Sequence, residues 1–273
     1  MNKISQTIPL QYDTPFSPFK AEAFDTALQF LSSKGFTGVE LAIAHPHLVN
    51  AEELTEKLQL FNLAATTLST GQAYGLDGVW LASPDAPVRQ KAIELIKGHI
   101  ELSSKIGFPP VTIGLLRGKL EEGNKASLLE NFKSAVLICA EHASKFGVTL
   151  QIEPICKEET ILLNSVYETL EFIESIGNPA NVGILYDTYH SYREDGDMAA
   201  AIKSATGKIT NVHFSDSHRG LPGYGEINFA SVIQTLRAIN YSGAFALETL
   251  SIPSTEFVND NCYTSITPLV ISL

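Results

Sequence analysis

Thr149-Leu150-Gln151-Ile152-Glu153 opens the stretch that decides the fold. It is followed by Asn181-Val182-Gly183-Ile184-Leu185-Tyr186-Asp187, by Ile209-Thr210-Asn211-Val212-His213-Phe214-Ser215, and by Ala244-Phe245-Ala246-Leu247-Glu248. Each is a short β-prone run, and the segments between them carry helical periodicity. Working outward, the same alternation extends to the start of the chain through Ile4–Leu10, Gly38–Ile43, Ala64–Ser69 and Val111–Leu115. Every intervening helical pattern is long enough for a crossover, which parallel strands require. Strand–helix units without a break in composition predict a parallel sheet covered by helices. Eight of them in 273 residues predict closure into a single (β/α)8 TIM barrel, one domain spanning residues 1–273. An open doubly wound sheet is the alternative, but no GxGxxG follows the first strand and no P-loop is present.

The helical segments carry their own boundaries. Leu129, Phe132, Val136, Cys139 and Ala143 recur at three- and four-residue steps, and Gly147 then supplies a left-handed stop. Ser165-Val166-Tyr167-Glu168 is a capping-box pattern ahead of Leu170 and Ile173. Phe229, Val232, Ile233, Leu236 and Ile239 share one face. The closing stretch Ser254–Leu273 reads least regularly, because Pro268 and three threonines leave a regular closing helix undecided.

Composition bounds the function. An apolar fraction of 44% supports a continuous core, and a net charge of −11 with a pI near 5.1 repels nucleic acid and anionic lipid. No apolar run is long enough to cross a bilayer, and the first residues do not form a secretory signal. Cys139, Cys156 and Cys262 are scattered and odd in number, as expected of reduced thiols. A soluble, cytoplasmic enzyme or binding protein with a small-molecule partner is expected, with no nucleic acid and no membrane.

Glu153, Asp187, His213 and Glu248 stand at the carboxyl ends of strands five to eight. In a barrel these tips converge on the face where active sites sit, although the chain separates them widely. Three carboxylates and one imidazole suit one divalent ion of the Mn, Mg or Co type, with Zn also accommodated. Behind them lie Glu159, His190, Asp216 and Arg219, the last in the turn-rich Gly220-Leu221-Pro222-Gly223-Tyr224-Gly225 loop. His45 and His47 read as loop residues after strand two, and Trp80, Tyr74, Tyr186 and Tyr189 as packing residues able to wall a ring. Glu40 and Arg117 are candidate supports for the site.

Glu153-Pro154 with Glu159-Thr160, Asp187-Thr188-Tyr189-His190, His213 through Ile227, and Tyr241-Ser242-Gly243 leading to Glu248 form a recognisable series. It resembles the sugar-phosphate isomerase/epimerase group of xylose-isomerase-like barrels, in particular tagatose/psicose-type ketose 3-epimerases and 5-keto-L-gluconate epimerases. The second likeness includes Ser69-Thr70-Gly71-Gln72-Ala73 and Ile113-Gly114-Leu115-Leu116-Arg117-Gly118. The resemblance implies that Glu153, Asp187, His213 and Glu248 bind the metal, that Glu159, His190 and Arg219 contact substrate, and that Glu153 and Glu248 exchange the proton. It also implies a sugar or keto sugar acid as substrate, and a homodimer or homotetramer. Cys156-Lys157 departs from the Asn-Arg pair common in that group and bears on how substrate is held. The rivals are an isomerase of aldose–ketose or hydroxypyruvate type, a cyclitol dehydratase, an apurinic endonuclease and a non-catalytic sugar-binding barrel. The acidic charge and the few histidines disfavour the endonuclease, and two carboxylates beside one cation disfavour pure binding.

Overall fold

A computed structural model describes residues 2–120 and 123–270. Its strands are β1 (Ile4–Pro9), β2 (Gly38–Ala42), β3 (Ala64–Ser69), β4 (Val111–Ile113), β5 (Leu150–Ile152), β6 (Val182–Asp187), β7 (Ile209–Phe214) and β8 (Ala244–Leu247). All pair in parallel with their sequence neighbours, and β1 pairs with β8 (Gln6 opposite Leu247) to close the barrel. The fold is a (β/α)8 barrel. Several strands end a residue or two before the predicted limit, because the chain turns into the mouth there. Leu115, expected in the fourth strand, lies instead in a 3-10 turn over Leu115–Arg117.

The helix Lys125–Phe146 starts at Asn124, whose side chain accepts from the Ala126 and Ser127 amides, and stops at Gly147 with φ +68°. Its buried face contains Phe132, Val136, Cys139 and Ala143 as expected, with Leu128 more deeply placed than Leu129. In the helix Val166–Ser175 only half of the capping box closes. Ser165 Oγ accepts from the Glu168 amide (3.1 Å), but the Glu168 carboxylate takes the Asn164 amide (2.8 Å) rather than that of Ser165.

The closing stretch, left undecided by the sequence, is a helix over Thr255–Val270 that includes Pro268. Val258, Cys262, Ile266 and Val270 recur every fourth residue and are buried, which provides the driving force. The threonines do not interrupt it. Thr264 and Thr267 donate back to the Asn261 and Tyr263 carbonyls (3.1 and 2.5 Å), and Pro268 falls in the last turn. Residues 271–273 of the predicted tail lie outside the described residues. Among the described residues, no helix is long and apolar enough to cross a membrane.

Alternation along the strands divides the barrel into two environments. Val39 and Leu41, Leu150 and Ile152, Val212 and Phe214, and Phe245 and Leu247 join helix residues such as Leu28, Ile96 and Phe132 in one apolar cluster. The interleaved side chains meet across the barrel axis and are largely polar. Gln151 Nε2 donates to Thr67 Oγ1 (2.7 Å) and Thr112 Oγ1 (2.8 Å), and Asn211 Nδ2 donates to Thr67 Oγ1 (3.0 Å). A barrel interior is more often filled by branched aliphatic side chains. Here a hydrogen-bonded layer of amides and hydroxyls lies beneath the charged tips.

Candidate active site

The four predicted tips meet. One ligand atom from each of Glu153, Asp187, His213 and Glu248 lies within 4.8 Å of the others. His213 Nδ1 is 3.3 Å from Glu248 Oε2 and 3.7 Å from both Glu153 Oε1 and Asp187 Oδ2. Such spacings are the edges of a coordination polyhedron with bonds of roughly 2.0–2.6 Å, the range for hard divalent cations. Asp187 Oδ2 and His213 Nδ1 are buried without a hydrogen-bond partner, which costs free energy unless something else binds them. The donor set, its spacing and these two bare atoms fit a divalent metal.

Glu40, in the middle of β2, completes the arrangement. Its Oε2 is 2.6 Å from His213 Nε2, and its Oε1 accepts from Ser69 Oγ (2.5 Å) and Thr7 Oγ1 (3.3 Å). A carboxylate on Nε2 fixes the proton there and leaves the Nδ1 lone pair for the metal. Burial opposes charge on His213, but Glu40 and Glu248 outweigh it, so the metal-free ring keeps its proton well above the ordinary histidine range. Burial likewise opposes charge on Asp187 and Glu248. His190 and His213 near Asp187, and His213 near Glu248, nevertheless hold both below the usual carboxylate range. Glu153 goes the other way: burial raises it, and His213 only partly compensates.

Glu159, His190 and Arg219 are also brought together. Arg219 Nη1 pairs with Glu159 Oε1 (2.8 Å), while Nη2 lies 2.8 Å from His190 Nε2. The Cys156 amide faces His190 Nδ1 (3.2 Å) from the other side. A neutral imidazole has one lone pair, so these two donors compete for it. Burial lowers the His190 pKa to about 4, which keeps the ring neutral. Cys156, Glu159 and His190 also form a metal-sized group, but Arg219 already bridges the last two as the cation. Asp216 differs from its predicted neighbours. Its carboxylate accepts from the amides of Ser217, Gly223, Gly225 and Ile227, so it shapes the loop that presents Arg219 rather than facing the cavity.

A match to the model of the xylose isomerase-like TIM barrel family runs over residues 28–260. The chain belongs to that family. It is 29% identical over 236 residues to a ketose 3-epimerase of Arthrobacter globiformis, covering 85% of this chain and 80% of the relative. It is 31% identical over 231 residues to an L-ribulose 3-epimerase of Mesorhizobium japonicum, covering 83% and 74%. A solved L-ribulose 3-epimerase superposes with a TM-score of 0.80 at 27% identity, over 97% of this chain and 87% of that one. The named relatives are epimerases, isomerase-class enzymes, and the chain is of that ketose-epimerase type.

In this xylose isomerase-like barrel a cavity of about 370 Å³ opens above the quartet, reached by Glu153, Glu248, Glu159, His190 and Arg219. Its outer wall includes Tyr12 and Phe16, from the loop after β1, which sequence reasoning missed. Trp80 and Tyr74 pack against the core and do not line the cavity. The Arg219 guanidinium lies over the rings of both Phe16 and Tyr189, with ring centroids 4.6 and 4.7 Å from Cζ. No local pattern marked Phe16; only its partner across the barrel does. His45 keeps its loop role, tied to Asp77 (2.9 Å) and Tyr12 (3.3 Å). Lys157 points away from the cavity to Glu194 (2.8 Å), whereas Cys156 lies buried beside Glu159 (3.7 Å). Burial, then Glu159, pushes that thiol up to about 12, which leaves it unreactive.

Proposed function

We propose that this protein is a metal-dependent ketose 3-epimerase that moves a proton at the carbon beside the substrate carbonyl. The observation that carries the reading is the pair Glu153 and Glu248. Both lie close to His213 Nδ1, 3.7 and 3.3 Å away, and both line the same cavity from different strands. A divalent cation bound by the quartet would offset the negative charge that develops on the carbonyl oxygen. Glu153 and Glu248 then divide the proton work, one removing it and the other delivering a proton to the opposite face. Glu159, His190 and Arg219 orient the substrate oxygens, and the two ring contacts on Arg219 reduce its freedom.

The donor set of three carboxylates and one imidazole favours Mn, Mg or Co. The acidic chain with three unpaired cysteines suits a reducing cytoplasm. The test is incubation of the metal-loaded protein with ketopentoses, ketohexoses and keto sugar acids in heavy water, followed by NMR. The expected result is deuterium at C3 of a ketose together with its C3 epimer. Incorporation at another carbon would assign a different isomerisation, and none on any substrate would overturn proton abstraction.

A further inference from the structure

Arg117 is wholly buried, and among the described residues no carboxylate lies within ion-pair distance of it. Its guanidinium is used entirely on backbone carbonyls. Nε donates to Gly114 O (3.0 Å), Nη1 to Leu162 O and Leu163 O (3.3 and 3.4 Å), and Nη2 to Glu153 O. The turn that carries Arg117 grips the same point, because the Arg117 amide also donates to Gly114 O (3.1 Å). One side chain therefore ties the end of β4, the end of β5 and the 162–163 loop together. Burial of an unpaired guanidinium is costly, and it lowers the Arg117 pKa to about 10. A planar fork with five donors can meet four carbonyls at once, which a lysine ammonium cannot.

Gly114 contributes the second half of the device. A Cβ there would stand 2.8 Å from Glu153 Oε2, so the bare glycine leaves the space in which the carboxylate sits. The backbone of Glu153 is thus held from behind by Arg117 while its carboxylate rests against Gly114.

We infer that the Gly114–Arg117 turn is a positioning device for Glu153, setting where that carboxylate stands relative to the metal and the substrate. The inference rests on Glu153 as a metal ligand and base, and it does not depend on which sugar is bound. Arg117 touches neither reacting atoms nor the other three donors, so it is a positioning residue.

The experiment is Mn2+ titration by calorimetry, without sugar, of the wild type, Arg117→Lys and Gly114→Ala, with apoprotein melting measured in parallel. Both variants should bind Mn2+ roughly 10-fold or more weakly, the usual scale for losing support behind a ligand. Gly114→Ala should do so because the atom its Cβ meets is the carboxylate end of Glu153, with the melting run separating any general loss of stability. On any ketose the wild type converts, kcat at saturating Mn2+ should fall more than KM rises. Lowered melting with wild-type Mn2+ affinity would make Arg117 a packing residue and overturn the inference. If Arg117→Lys fails to fold, Gly114→Ala decides alone: weakened Mn2+ binding supports the device, and unchanged binding refutes it. A wild type that binds Mn2+ but converts no sugar would count against the proposed reaction and leave this test intact.

Discussion

The two halves of the barrel contribute to the site in different ways. Strands β5 to β8 end in Glu153, Asp187, His213 and Glu248, the atoms that converge. Strands β1 to β4 and their loops supply supports for two of those residues and for Arg219 nearby: Glu40 on His213, Arg117 and Gly114 about Glu153, and Phe16 on Arg219. One half presents donors to the cavity, and the other fixes their direction. Chemistry should therefore collapse when the second half of the chain is altered and should loosen when the first half is.

The largest effect is expected at the proton-transfer pair. Glu153→Gln and Glu248→Gln keep the shape but remove the base, and each should lower kcat by about 10²–10⁴-fold. Steady-state rates on the best ketose, at saturating metal, check this. A variant of either residue retaining near wild-type kcat would break the division between halves. Glu40→Gln tests the other side. It keeps an amide beside His213 Nε2 but removes the charge, and metal affinity or kcat should fall about 10–100-fold. A loss as large as that at Glu153 would show that the first half shares in the chemistry itself.

These differences in role explain what the sequence made legible. Glu153, Asp187, His213 and Glu248 each follow a short β-branched or aromatic run, so strand direction alone carries them to one face. Their convergence follows from topology and needs no knowledge of side-chain contacts. Glu40 lies within β2, where a charge looks like an anomaly until His213 is found 2.6 Å away on β7. Phe16 lies in a loop with no period, and its partner Arg219 is most of the chain away. The closing helix was obscured for a related reason: Thr264 and Thr267 look disruptive in one dimension and are satisfied one turn back in three. Local signals report direction and exposure; long-range hydrogen bonds leave no local trace.

The pH dependence of metal binding sharpens the comparison, because Glu40 and the quartet act on the same proton. In the metal-free protein, Glu40 and Glu248 hold a proton on His213 well above the usual range for histidine. The metal needs the Nδ1 lone pair, so binding must expel that proton. Affinity should therefore fall about tenfold for each unit of falling pH while one proton is displaced, and calorimetry in buffers of different ionisation enthalpy will report the release. In Glu40→Gln the slope should weaken from the high-pH end, because the ring loses the Glu40 charge while Glu248 still acts on it. An unchanged slope in that variant would mean that Glu40 does not govern His213.

Phe16 should give the smallest effect and is the finest test of the first half's role. Its ring lies 4.6 Å from Arg219 Cζ and that of Tyr189 4.7 Å, while the guanidinium nitrogens are engaged by Glu159 and His190. A single partly exposed cation–π contact is worth about 0.5–1 kcal/mol, or roughly two- to fivefold in an equilibrium. Phe16→Leu retains apolar bulk but removes the π face, so KM should rise by about that factor with kcat nearly unchanged. Phe16→Tyr should restore the wild-type value, since it keeps the ring. Equal KM in the leucine and tyrosine variants would reduce Phe16 to a wall of the cavity. A fall in kcat confined to the leucine variant would instead give the loop after β1 a part in the chemical step, and the separation between the two halves would not hold.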